Sequence, residues 1–419
     1  MDRLIEVFCR TIQSTDITKH RSGMIGILYV ICLLALFSCA STPSATNGDL
    51  GVINLSGDYP TRRVDLKEIA DVEYVALETT DSSLLTSMCA NFCISDKYIV
   101  TSDMYTGDIF FFTRSGKFVR KVNRLGNGPE EYSYLQDMVA DFETEECFVY
   151  DLYKKKVDIY SFEGTYKRSI PWMIANLYPW HNYNKDYLIG YHDSFSHKTY
   201  RCTDTHPFYL MSKKDGRLIP LNLMVPDGIS STLTIIKEKL TTGDIYINSP
   251  SLPIFPFLMN GDEALIAEFS LDTLYSFKEE RLTPIAVKTP SARSTTPPTI
   301  IVPELYTDSF LLFRVVSMYY DKSNHYKPYQ ESDMLIWNRK TNQVEKWEIY
   351  NSDMDAAMLR YPLTRLNAFS DKNMGVAFYT AETLITLNNE GILKGKLKEV
   401  ASKLQDEEDN KILLIAKYK

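Results

Sequence analysis

The chain has 419 residues, 44% hydrophobic and 12% aromatic, with 28 Tyr and 20 Phe. This is the make-up of a folded chain rich in strand formers, so a disordered chain is excluded and a β-rich fold expected. The formal charge of −8 lacks the basic footprint of a nucleic-acid binder and removes nucleic acid from the expected partners.

The N-terminus carries an address. Lys19, His20 and Arg21 precede Met24–Ser38, an uncharged apolar run of signal-peptide length. It ends in Leu36-Phe37-Ser38-Cys39, which resembles a bacterial lipobox. Residues 1–38 are therefore expected to be a lipoprotein signal peptide, with Cys39 the lipidated residue; an uncleaved anchor helix is the alternative. Residues 39–50 read as a flexible tether, because the Ser, Thr, Pro and Gly of Ala40–Gly48 cannot build a core. No acidic run follows Cys39 of the kind that resembles a surface-export signal, so the expected location is the cell envelope, lipid-anchored at the outer membrane and facing the periplasm. The expected membrane contact is the N-terminal lipid.

Residues 51–419 read as one domain. Val72–Leu77 and Tyr98–Asp103 are the first strands. Ile109–Phe112 then runs through a Ser115-Gly116 turn into Lys117–Val122, a β-hairpin that ends in the loop Gly126–Tyr132. Cys147–Leu152, Lys156–Phe162, a Glu163-Gly164 turn and Thr165–Ile170 repeat that order. The third-strand core recurs at Phe208–Met211, Thr273–Phe277, Met334–Asn338 and Thr383–Leu387, each followed by a turn: Asp215-Gly216, Glu279-Glu280, Lys340–Asn342 and Glu390-Gly391. The markers Phe110, Tyr160, Leu210, Tyr275, Ile336 and Ile385 fall about 50 to 65 residues apart. Short strands at that period are the signature of propeller blades, which bury their faces against one another. The expected fold is all-β, a six-bladed β-propeller. The first part of Thr289–Pro303 reads as a loop, as does Lys322–Glu331, and Leu397–Glu407 reads as a short helix with Val400 and Leu404 on one face. The last strand, Lys411–Lys417, shows no hairpin partner of its own, so closure of the ring by pairing of N- and C-terminal strands is expected.

Four segments carry a resemblance: Val72–Thr79 (VEYVALET), Phe110–Phe118 (FFFTRSGKF), Gly126–Tyr132 (GNGPEEY) and Glu408–Leu414 (EDNKILL). The chain resembles the six-bladed β-propeller lipoproteins of Bacteroides-type bacteria, distant relatives of NHL-repeat and TolB-like propellers whose function is largely unknown. The resemblance spans nearly all of the chain after Cys39 and implies architecture and export more than activity.

Chemistry is less legible. Gly126–Tyr132 has the glycines of a phosphate loop but neither the Lys-Ser/Thr of a P-loop nor a following helix, so a connection between blades is expected. Glu131 and Tyr132, at its end, are the candidate channel or binding residues. His192, His197 and His206 are weak metal candidates, lying with His181, Asp193, Cys202 and Asp204 in one blade at spacings that match no established site. No G-x-S-x-G or H-E-x-x-H is present. The adjacent acids Glu130-Glu131, Glu145-Glu146 and Glu279-Glu280 would point to opposite faces of a strand. Cys89, Cys93, Cys147 and Cys202 are expected to be buried thiols, because Cys89 and Cys93, four apart on a predicted strand, stand too far apart to bridge. No catalytic residue and no cofactor is predicted. The expected function is a binding or scaffolding module for an envelope protein, peptide or glycan. The alternative is a metal-assisted hydrolase or lyase acting on a saccharide or lactone in the channel, and a structural subunit of an envelope complex is a third reading.

Overall fold

A computed structural model describes residues 50–419 apart from 88, 90, 172–176, 193–205, 226–227, 230–235, 240, 242–244, 249–255, 320–329 and 355–370. The expectations placed on residues 1–49, Cys39 among them, and on His197, Asp193, Cys202 and Asp204 lie outside the described residues. Among the described residues no helix is long and apolar enough to cross a membrane.

The chain opens with β1 (Gly51–Asn54), β2 (Thr61–Asp65), a turn of helix α1 (Leu66–Ile69) and β3 (Ala70–Ala76). Blade 1 is β4 (Phe92–Ile94), β5 (Tyr98–Ser102), β6 (Asp108–Thr113) and β7 (Phe118–Asn123). Blade 2 is β8 (Asp137–Asp141), β9 (Glu146–Asp151), β10 (Lys156–Ser161) and β11 (Tyr166–Pro171); blade 3 is β12 (Leu177–Asn182), β13 (Tyr187–His192), β14 (Phe208–Ser212) and β15 (Leu218–Pro220). A separate hairpin, β16 (Ile236–Lys239) and β17 (Ile245–Asn248), precedes blade 4, which is β18 (Phe257–Asn260), β19 (Glu263–Ile266), β20 (Thr273–Lys278) and β21 (Arg281–Thr289). Blade 5 is β22 (Thr299–Tyr306), β23 (Phe310–Ser317), β24 (Gln330–Asn338) and β25 (Gln343–Tyr350). Blade 6 holds β26 (Met374–Tyr379), two helices α2 (Ala381–Asn389) and α3 (Gly395–Ala401), and β27 (Ile412–Tyr418). β8 lies against β12, and β18 against β22, so the first strands of these blades are the innermost.

The ring closes as the termini require. β27 pairs antiparallel with β3 from Ile412–Ala76 to Tyr418–Ala70, placing the first and last parts of the chain in one sheet. The packing shows the same closure, because each main apolar cluster joins two neighbouring blades. Phe92, Ile99 and Phe112 of blade 1 pack on Leu413, Ile415 and Val376 of blade 6. Ile109 and Phe111, on the other face of the same strand, pack on Val149 and Tyr160 of blade 2. This is why Ile109–Phe112, the centre of that strand, is an unbroken apolar run: a strand sandwiched between blades buries both faces, so the usual alternation is lost. β27 behaves alike, sending Ile412 and Leu414 toward blade 5 and Leu413 and Ile415 toward blade 1.

The third-to-fourth-strand turns each need a left-handed residue. Gly116, Gly164 and Gly216 have φ of +88°, +83° and +74°, and Asn342 has +57°. At Gly116 a β-carbon would also come within 2.1 Å of the Ala76 carbonyl oxygen, so this glycine lets the first hairpin lie against the closing strand. Blade 4 solves the same turn with Glu279 and Glu280, both at positive φ (50° and 56°), between the paired residues Lys278 and Arg281. These acids sit in a turn and not on a strand, and two L-residues there cost about 1 kcal/mol or more each. The double substitution Glu279→Asn, Glu280→Gly matches the preferred two-residue turn and should raise stability by about 1–2 kcal/mol. A thermal melt shifted upward by a few degrees is the expected result; no shift, or a fall, contradicts the strain account.

Three expectations are corrected. Thr383–Leu387 is not the third strand of a sixth repeat but lies inside α2. Thr380 caps that helix by accepting a bond from the Thr383 N–H, and Leu384 and Leu387 are buried at helical spacing. Gly391, at φ +72°, follows the helix and not a hairpin. The last strand does have a hairpin-type partner, β26, paired from Tyr379–Ile412 to Met374–Lys417 across the two helices. Cys89 precedes β4 and does not share its strand with Cys93. β1 and β2 were not foreseen: they add parallel fifth strands to blades 4 and 5, pairing with β21 and β25.

Candidate functional site

The loop Gly126–Tyr132, which connects blade 1 to blade 2, closes on itself. The Gly126 N–H donates to the Tyr132 carbonyl at 2.9 Å and the Tyr132 N–H to the Arg124 carbonyl at 3.1 Å. The Glu131 Oε2 accepts from the Gly128 N–H at 2.8 Å. The fully buried Tyr132 donates its hydroxyl to the Gly107 carbonyl at 2.5 Å and accepts from the Arg124 N–H at 2.9 Å. Burial raises the Tyr132 phenol well above its ordinary range. Both candidate residues thus hold the loop, and Tyr132 offers no surface to a ligand.

The loop's polarity also opposes an anion. Lys154 Nζ donates to the carbonyls of Gly128 at 3.1 Å and Glu131 at 2.7 Å, and Lys156 Nζ to Pro129 at 3.2 Å. A phosphate loop aims N–H groups at its ligand; this one aims carbonyls at two ammonium groups of its own chain.

The other candidates are dispersed. His192 is buried at the end of β13, His181 sets its ring edge on Phe257 with centroids 5.0 Å apart, and His206 is half-buried before β14. Among the described residues no group of three or more His, Cys, Asp or Glu is placed to hold a metal ion. Cys89, Cys93 and Cys147 are free and buried. Burial, followed by the Asp103 carboxylate, pushes the Cys89 thiol up to about 12, and burial alone leads the rise of Cys93 to about 12. Such thiols are poor nucleophiles at neutral pH.

What the loop delivers is the next residue but one. Ser133 is tied to Asp151 through its N–H at 2.5 Å and its Oγ at 3.0 Å, which fixes the start of Tyr134-Leu-Gln-Asp137. The same Asp151 caps the β9–β10 turn, accepting from the Tyr153 and Lys154 N–H groups at 3.0 Å each. Asp103 does the same for the β5–β6 turn of blade 1, accepting from Tyr105 at 2.8 Å and Thr106 at 3.1 Å. Each capping aspartate is buried, and each presents a tyrosine two residues later that is 71% exposed. The Tyr134 and Tyr153 rings pack at 5.1 Å with a 43° tilt. Burial and then the neighbouring phenols of Tyr153 and Tyr105 raise the Tyr134 hydroxyl, so all three tyrosines share one neighbourhood. Large aromatic faces left in water beside one another mark a contact surface. The sequence signal for it is Asp103-Met-Tyr105 and Asp151-Leu-Tyr153, an Asp-x-Tyr at the equivalent turn of blades 1 and 2.

Asp137, three residues after Tyr134, opens the innermost strand β8. Among the described residues its carboxyl accepts one hydrogen bond, from the Met138 N–H at 2.9 Å. Burial raises it to about 7. It borders an apolar cavity of about 10 Å³ between blades 2 and 3, walled by Met138, Phe148, Tyr150, Trp180 and Met211. Glu268 is also pushed up to about 7 by burial, but it is served by the Ser270 N–H and hydroxyl, with the charge of Lys288 close by. Asp137 has no such company.

The sequence profile described as Domain of unknown function (DUF4934) matches residues 50–417. The chain belongs to the DUF4934 family. No curated protein matches it. In structure, this DUF4934 member is similar to a candidate exported protein of Bacteroides fragilis, with a TM-score of 0.59 and 16% identity over 88% of this chain and 99% of that one. A DUF4221 member from Bacteroides vulgatus aligns with a TM-score of 0.45 and 10% identity over 84% and 98% of the two chains. Virginiamycin B lyase from Staphylococcus aureus aligns at 0.36 and 11% over 83% and 99%. The first of these shares the six-bladed fold with the DUF4934 chain.

Proposed function

We propose that this DUF4934 protein is an exported, lipid-anchored propeller that binds a protein, peptide or glycan on the rim of blades 1 and 2. The observation that carries this reading is the tyrosine group: Tyr105, Tyr134 and Tyr153 come from three separate loops, two of them pinned by buried aspartates. Rings held on rigid turns give contact area at a low cost in conformational entropy. The lipobox-like Leu36–Cys39 and the likeness to a candidate exported protein support placement in the envelope.

An array of peptides and glycans, probed with the wild type and with the Tyr134→Ala, Tyr153→Ala double variant, tests the reading. The expected result is a ligand whose signal falls at least about tenfold in the variant, the loss of about 1.4 kcal/mol. Equal binding by both proteins places the ligand elsewhere and overturns it.

A further inference from the structure

The loop between blades 1 and 2 carries a reactive dipeptide. Among the described residues two asparagines precede a glycine, Asn127-Gly128 and Asn260-Gly261. The carboxamide of an asparagine is open to attack by the nitrogen of the next residue, and a following glycine leaves that approach clear because it has no β-carbon. Asn260 is held away from such attack. It is 2% exposed, its Oδ1 accepts from the Asn373 N–H at 2.7 Å and its Nδ2 donates to Asp308 at 3.2 Å. Asn127 is exposed, and among the described residues its side-chain amide makes no hydrogen bond.

The fold supplies what the attack needs. The nitrogen must lose its proton, and the Gly128 N–H points at Glu131 Oε2 from 2.8 Å, within the reach of a general base. The same contact requires the glycine, since a β-carbon at 128 would stand 3.0 Å from that oxygen. Lys154 Nζ donates to the carbonyls of Gly126 at 3.4 Å and Gly128 at 3.1 Å, so a positive charge lies beside the peptide unit on which negative charge develops.

We propose that Asn127 is a site of self-modification, converted to aspartate and isoaspartate with Glu131 as the base. The Gly128 nitrogen bonds to the Asn127 side-chain carbon, the bond from that carbon to the amide nitrogen breaks, and ammonia leaves with the proton that Glu131 relays. Water then opens the cyclic imide at either carbonyl. Opening at one restores the main chain and leaves aspartate; opening at the other routes the chain through the side chain as isoaspartate. The net change is uptake of water and release of ammonia. The isoaspartyl form lengthens the blade 1 to blade 2 connection between the two carbonyls that Lys154 holds.

Ageing of the full chain at neutral pH, followed by peptide mapping with isoaspartate-resolving mass spectrometry, tests this. The expected result is conversion at Asn127, faster than in a free peptide of residues 124–133, with Asn260 intact. In Glu131→Gln the amide oxygen still accepts from the Gly128 N–H but takes no proton, and conversion should slow at least about tenfold. Glu131→Ala should slow it as well. A Glu131 that only held the loop would give the opposite, faster conversion once its bond is lost. An equal or higher rate in either variant, or a folded chain that converts no faster than the free peptide, overturns the proposal.

Discussion

Deletion of Ile412–Tyr418 will abolish the cooperative unfolding transition of the whole propeller. β27 is the middle strand of its sheet, bonded to β26 on one side and β3 on the other. Its loss leaves two unpaired edges and opens the ring between blades 5 and 1. Ile412, Leu413 and Leu414 are completely buried and Ile415 is 2% exposed. At about 1.5–3 kcal/mol for each buried side chain, the four supply about 6–12 kcal/mol, comparable with the whole stability of a typical domain, about 5–15 kcal/mol. Circular dichroism of the truncated chain should show a broad, non-cooperative melt. Leu414→Ala, which only opens a cavity, should keep the sharp transition and lose about 2–5 kcal/mol. A truncated chain that melts at the wild-type temperature would sink the closure account.

The second large effect is a gain. Asp137→Asn should stabilise the protein at pH 8 and leave it nearly unchanged at pH 4. The folded-state carboxyl titrates near 7 against an ordinary value of 3.8. Between these values the native state holds a proton that the unfolded chain has released, so stability falls as pH rises through that window. The full cost at pH 8 is about 3 units at 1.36 kcal/mol each, or about 4 kcal/mol. Relaxation trims this to a gain of about 2–4 kcal/mol for an uncharged amide of the same shape. Glu268 titrates in the same window, so the test is the difference between variant and wild-type melts across pH. A difference independent of pH would mean that Asp137 is not held desolvated.

The fold was largely legible because propeller strands carry strong local signals. Strands such as Ile109–Phe112 are apolar on both faces, and Gly116, Gly164 and Gly216 mark turns that only a left-handed residue closes. The misreading at Thr383–Leu387 arose because Thr and Ile imitate a strand and Gly391 imitates a hairpin turn. The Leu384 and Leu387 spacing behind a Thr380 cap was the competing helix signal. β1 and β2 stayed hidden because their parallel pairing joins residues nearly three hundred positions or more than two hundred apart, and nothing local in either strand names its partner.

The site was less legible for a related reason. Attention falls on Gly126–Tyr132 because glycines and an acid-aromatic pair look like a ligand loop, yet those residues are consumed in holding the loop together. The surface they build belongs to Tyr134, and its companions Tyr105 and Tyr153 arrive from turns 29 residues before it and 19 after. Only the repeated Asp-x-Tyr hints at this in the sequence, and it becomes meaningful once the buried aspartates are seen capping equivalent turns.

The claim that ligand recognition occurs on this rim is tested most directly by hydrogen exchange on the full chain, with and without a saturating ligand identified on the peptide and glycan array. Protection confined to the turns 103–107 and 151–155 and to the segment 131–137 is the predicted result. Protection elsewhere on the propeller, with those three segments unchanged under saturation, would contradict it.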